Sequence, residues 1–62
     1  MLKINFVDGV AVVDTSKIVA VYKENHSERY YISFVNGESK MLEKEEAWRV
    51  VKFISNGGES LD

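Results

Sequence analysis

Few side chains in this sequence could do chemistry. The chain has one histidine and no cysteine. His26 stands in a polar stretch with Glu24 and Glu28 two residues to either side, a spacing that offers a weak, solvated metal contact, whereas a metal centre needs three or four converging ligands. Ser16, Ser27, Ser33, Ser39, Ser55 and Ser60 share that single possible base, and none sits in a nucleophile-elbow context. Glu43, Glu45 and Glu46 cluster before an apolar run. Neighbours in sequence diverge around a helix, and acids complement the positive end of its dipole, so these carboxylates read as a helix start. Asn56-Gly57-Gly58 follows that run instead of preceding it and so lacks the strand-loop-helix context of a phosphate cradle. The chemistry-bearing residues thus point to no catalytic group, no metal and no cofactor.

The elements that would position them are legible from turn signals. Asp8-Gly9, Asp14-Thr15-Ser16, Asn25 to Glu28, Asn36-Gly37 and Asn56-Gly57-Gly58 divide the chain evenly. Between them lie KINFV, VAVV, KIVAVYKE and RYYISFV, rich in the β-branched and aromatic residues that suit a pleated sheet. After Leu42 the period changes. Ala47, Val50, Val51 and Ile54 recur at helical spacing, with Glu45, Arg49 and Lys52 on the opposite side. The pattern predicts an α+β fold: an antiparallel β-meander of four to five short strands with one C-terminal amphipathic helix packed on one face. Residues 1–56 read as one domain and 57–62 as a flexible tail.

A chain of 62 residues buries only about 60% of the surface it exposes when unfolded, which leaves a thin margin over conformational entropy. Disulfides, metals and association are the usual supplements, and here association is what remains. The apolar runs are far shorter than a membrane span needs. The start of the chain lacks the pattern of a secretory signal, and with no cysteine a cytoplasmic location is expected. Eight basic against ten acidic residues argue against binding driven by phosphate neutralisation.

The middle hairpin carries the functional expectation. A four-residue Asn25–Glu28 loop sets Tyr22 opposite Tyr31, Ala20 opposite Ser33 and Ile18 opposite Val35 on one face. The other face then holds Val19 with Phe34, Val21 with Ile32 and Lys23 with Tyr30. A two-residue Asn36-Gly37 turn would place Met41 beside Ile32, Ser39 beside Phe34 and Lys40 beside Ser33. The second face is the more apolar and is assigned to the helix. The first becomes a ledge centred on Tyr22 and Tyr31, flanked by Ile18, Ala20, Ser33 and Val35. A cross-strand aromatic pair can stabilise a hairpin on its own by up to ~1 kcal/mol. It can equally anchor another chain, for which tyrosine is enriched. Trp48 and Phe53 flank the apolar stripe of the helix, where they either drape over the sheet edges or extend the interface.

The order MLKINFVDG, VVDTSKIVAVYKE, RYYISFVNGE and EEAWRVVKFI resembles the FlbD/SwrD-like small flagellar proteins of bacteria, and in style is similar to small phage and mobile-element accessory proteins that bind a host protein. The expected function is a non-enzymatic protein-interaction module, a homodimer or the ligand of a larger bacterial or phage-host protein, with no membrane contact. The alternative is a single-stranded nucleic-acid-binding module using the same face, with Lys17, Lys23, Arg29 and Lys40 nearby.

Overall fold

The computed structural model describes residues 1–56. Five strands, β1 (Leu2–Phe6), β2 (Gly9–Val13), β3 (Ile18–Lys23), β4 (Tyr30–Phe34) and β5 (Ser39–Leu42), precede one helix, α1 (Lys44–Ser55), and a 3₁₀ turn occupies Thr15–Lys17. All strand pairs are antiparallel, in the order β2-β1-β5-β4-β3. This is the small α+β architecture that the periodicities predict. The tail expected at 57–62, with the Gly57 stop signal, lies outside the described residues.

Consecutive strands form hairpins except at one connection. β2 and β3 occupy opposite edges of the sheet and are joined only through Asp14 and the 3₁₀ turn, while β1 returns to pair with β5 through Phe6 and Leu42. In a flat sheet the two edges would lie about 19 Å apart, four spacings of about 4.8 Å. A link made mostly of 3₁₀ turn, rising about 2 Å per residue, spans only about 13 Å. The sheet therefore curls. Asp14 starts the link by accepting hydrogen bonds from the Ser16 hydroxyl at 2.7 Å and the Ser16 N–H at 3.0 Å, and these bonds hold its carboxyl below the usual range. On the concave side Phe6 and Phe34 meet edge to face, ring centroids 6.4 Å apart.

Two local irregularities set which side chains face inward. Ala20 pairs with Ser33 but Ile18 with Phe34, so Val19 is an extra residue in β3. Such a bulge bends and twists its strand. It turns Ile18 onto the core and leaves Val19 64% exposed, correcting the straight register in which Ile18 faced Val35. The second irregularity is the β4–β5 turn. Gly37 N–H donates to the Phe34 carbonyl at 3.0 Å and Phe34 N–H to Glu38 at 2.9 Å, so the loop has three residues, closed by Gly37 at φ 89° in the type I plus bulge arrangement. Asn36 supports it, its amide donating to the Glu38 carboxylate at 2.7 Å. Ser33 therefore pairs with Ser39, Ile32 with Lys40 and Tyr31 with Met41. One residue of slip exchanges the faces of a strand: Met41 and Ser39 face away from the helix, and Lys40 toward it.

The core lies between the concave face and α1: Leu2, Ile4, Ile32, Leu42, Ala47 and Val50 are buried, with Phe6, Val13, Ile18, Val21, Tyr30, Phe34 and Phe53 packed around them. Glu43 precedes the helix without a side-chain cap, and Glu45 and Glu46 lie in its first turn. The buried stripe leans toward Phe53, and Ile54, expected inside, is exposed. Glu46 explains the lean. Because β5 ends at Leu42, the inner edge of β1 beyond Phe6 has no strand partner. Glu46 accepts the Asn5 N–H at 2.8 Å, and Arg49 donates to the Lys3 carbonyl while holding the Glu46 carboxylate, with Nε at 2.8 Å. The pair takes the place of a strand.

Replacing Glu46 with alanine should cost about 1–2 kcal/mol in thermal unfolding, near the lower end for charged hydrogen bonds since Arg49 is half-exposed. The Glu46 carboxyl is held below its ordinary value, first by the Arg49 hydrogen bond, then by Asn5 and the Arg49 charge, against some burial. Its stabilisation is thus fully present above about pH 4.5, the unfolded range, and is lost as pH falls through the lower folded value; the difference between wild type and Glu46→Gln should shrink below that pH. Gly37→Ala should cost about 1–2 kcal/mol because of its left-handed backbone, whereas Gly9→Ala, with nothing within 4 Å of an added Cβ, should be near neutral; urea melts of the two variants compare them.

Candidate functional site

The four-residue loop after Glu24 fixes the middle hairpin. Glu24 N–H donates to the Arg29 carbonyl at 2.9 Å, and Ser27 links both ends, bonding the Glu24 carboxylate at 3.1 Å and the Arg29 N–H at 3.2 Å. Tyr22 then stands opposite Tyr31 and Ala20 opposite Ser33, as the sequence predicts. The two rings stack, with centroids 5.6 Å apart and planes 27° from parallel. They lie on the convex face, away from α1, because the neighbouring Val21 and Ile32 point into the core.

The register extends this pair into a row. Met41 sits opposite Tyr31, and Val7 comes next, its N–H donating to the Met41 carbonyl at 3.0 Å. Leu42 faces the core, so Met41 faces out, and Val7, in the turn beside it, is exposed. Val7, in the β1–β2 turn, thus continues a row formed by Met41, Tyr31 and Tyr22 across β5, β4 and β3, with Val7 52% and Tyr22 46% exposed. Ala20, Ser33 and Ser39 form a small-residue row beside it.

The remaining expected residues are dispersed. Ile18 packs on the core. Val35 is exposed and borders a groove on the concave side, and Phe53 packs against the core. Trp48 is 52% exposed and lines a second groove of about 230 Å³ with Tyr30, Val21, Lys23 and Val51, reaching the edge of Tyr22. Of the basic residues grouped near the ledge, Lys40 points to the helix side, 3.8 Å from Asp8, Lys17 borders the concave groove and Lys23 the Trp48 groove. Arg29 closes the loop end of the hairpin opposite Glu24, and Lys3 faces outward from β1.

Sequence reasoning missed two features. The sequence pattern places Met41 inside, because Asn-Gly suits both a two-residue and a three-residue turn, whereas the three-residue turn sets it opposite Tyr31 on the outer face. The concave groove, about 490 Å³ between Phe6, Ala11 and Val13 on one wall and Phe34 and Val35 on the other, exists only because the sheet curls. No group of three or more His, Asp or Glu side chains among the described residues is placed to hold a metal ion, and no helix there is long and apolar enough to cross a membrane. Compared with family models, curated proteins and solved structures, the chain matches none.

A double-mutant cycle on Tyr22→Ala and Tyr31→Ala, read by chemical unfolding, should give a coupling of about 0.5–1.5 kcal/mol, the range of stacked aromatic pairs. A coupling indistinguishable from zero would show that the rings do not stack in solution.

Proposed function

We propose that the chain is a non-enzymatic protein-interaction module that docks through the convex row Val7, Met41, Tyr31 and Tyr22, either with a second copy as a homodimer or with a larger protein. The observation that carries this reading is the stacked tyrosine pair on the face opposite the helix. A half-wet antiparallel sheet ordinarily presents polar residues outward. Here an aromatic and thioether row crosses the middle of that face beside the small Ala20, Ser33 and Ser39, and Tyr22 stays 46% exposed. Tyrosine is favoured at such surfaces because its ring offers large contact area at little rotamer cost and its hydroxyl can stay wet.

The resemblance to small flagellar proteins and to phage accessory proteins makes a larger bacterial or phage-host protein the natural heterologous partner, and the absence of cysteine fits a reducing cytoplasm. Single-strand nucleic-acid binding through this face is the weaker reading, since Lys17, Lys23 and Lys40 lie elsewhere and phosphate contacts supply most of such affinity.

Light scattering after size exclusion, with helical content followed by circular dichroism, tests the proposal. Tyr31→Ala should keep the fold and weaken association about 30-fold, as expected for an anchor residue. A wild type that stays monomeric and has no partner whose binding depends on Tyr31 would end this reading, as would a Tyr31→Ala variant that simply unfolds.

A further inference from the structure

A second surface, independent of the tyrosine row, is the free edge of β2. Backbone direction alternates along a strand, and opposed residues of an antiparallel pair point either toward one another or both away. Asn5 N–H reaches Glu46, the Lys3 carbonyl reaches Arg49 and Val7 N–H reaches Met41, so the odd residues of β1 point away from β2. Their partners are Val10, opposite Asn5, and Val12, opposite Lys3. The N–H and C=O groups of Val10 and Val12 therefore point off the edge of the sheet.

Among the described residues nothing blunts this edge. β2 is GVAVV, paired with β1 in unbroken register over five residues, without a charge, a proline or a bulge. The opposite edge of the same sheet, β3, has both a bulge at Val19 and the charge of Lys23, the devices by which edges ordinarily avoid pairing. The concave side differs as well. Ala11 and Val13 point into the groove of about 490 Å³ that Phe6 and Phe34 also line. A strand added beside β2 would direct every second side chain over that groove, so that main-chain bonds supply affinity and the groove supplies selectivity.

We infer that β2 is a docking edge for an extended peptide segment of a partner protein, with alternating apolar residues and a basic residue at each end. Charge selects this occupant. Asp8, whose side chain is 70% exposed, and Asp14, also exposed, stand just beyond the two ends of β2. Among the described residues Asp8 has only the long Lys40 contact at 3.8 Å, and the Asp14 hydrogen bonds come from neutral Ser16, with Lys17 and the chain's amino group as weaker, more distant cationic neighbours. A second copy is disfavoured by the same groups, because the two-fold antiparallel register centred on Ala11 sets Asp8 against Asp14 of the other chain.

The test uses a fluorescein-labelled heptapeptide, Lys-Val-Thr-Val-Thr-Val-Lys, and its counterpart with glutamate at both ends. By anisotropy the lysine peptide should bind about tenfold or more tightly than the glutamate peptide, with the advantage shrinking as salt rises. On the ¹⁵N-labelled wild-type chain, the lysine peptide should slow hydrogen exchange at Val10 and Val12. Val12→Pro removes an edge N–H that β1 does not use and should weaken binding about tenfold; if that variant fails to fold, the exchange measurement on the wild type decides. Equal binding of the two peptides, or exchange protection elsewhere than Val10 and Val12, would overturn the inference. So would a wild-type dimer that Val12→Pro dissociates, which would give the edge to a second copy. Tyr31→Ala should leave peptide binding unchanged, separating this surface from the tyrosine row.

Discussion

The short connection between β2 and β3 is the constraint on which the rest depends. Asp14 and three residues of 3₁₀ turn must join strands at opposite edges of a five-stranded sheet, and a flat sheet would hold those edges too far apart. Curling is the geometric answer, helped by the bulge at Val19. From it follow a concave side against which one helix packs, the edge-to-face meeting of Phe6 and Phe34, and a groove that the helix does not line.

Curling also creates a problem that the helix solves with charge. β5 is short because Glu43 already caps the helix, so on the edge away from β2 the strand β1 has a strand partner only at Phe6. Backbone groups left without partners would be costly near the core. Glu46 and Arg49, one turn apart, reach back to Asn5 and Lys3 and hold one another as an ion pair. Their attraction to each other contributes less than their backbone contacts, because Arg49 is half-exposed and screened. What they add is a fixed docking angle for α1, which brings Ala47, Val50 and Phe53 onto the sheet.

A domain this small builds a thin core: among the described residues only six side chains are buried, while Val7, Val10, Val12, Val19, Tyr22, Val35, Trp48 and Ile54 stay exposed. Against that scarcity, Val7, Met41, Tyr31 and Tyr22 on the convex face, together with the uncharged edge of β2, are surfaces left outside the core. They are distinct in kind. The first offers side-chain contact area, and the second offers unpaired backbone, so they suit different partners.

Much of this was legible in the residues themselves. Strand and helix periods, the acidic start of the helix and the polar Asn25–Glu28 loop fixed the elements and the Tyr22–Tyr31 pairing, because each depends on interactions between residues close along the chain. The facing of Ile18 and Met41 was not legible. It turns on a one-residue slip at a bulge and at an Asn-Gly turn, and local propensity is nearly indifferent between the alternatives. Only the assembled sheet settled it, since burying Ile18 and Leu42 under one helix requires those slips. The sequence alone determined that two tyrosines share a face. The tertiary structure decided that Met41 and Val7 join them, that Lys40 does not, and that β2 keeps an open edge, because each of these depends on which strand ends beside which, a matter of long-range closure that no local stretch encodes.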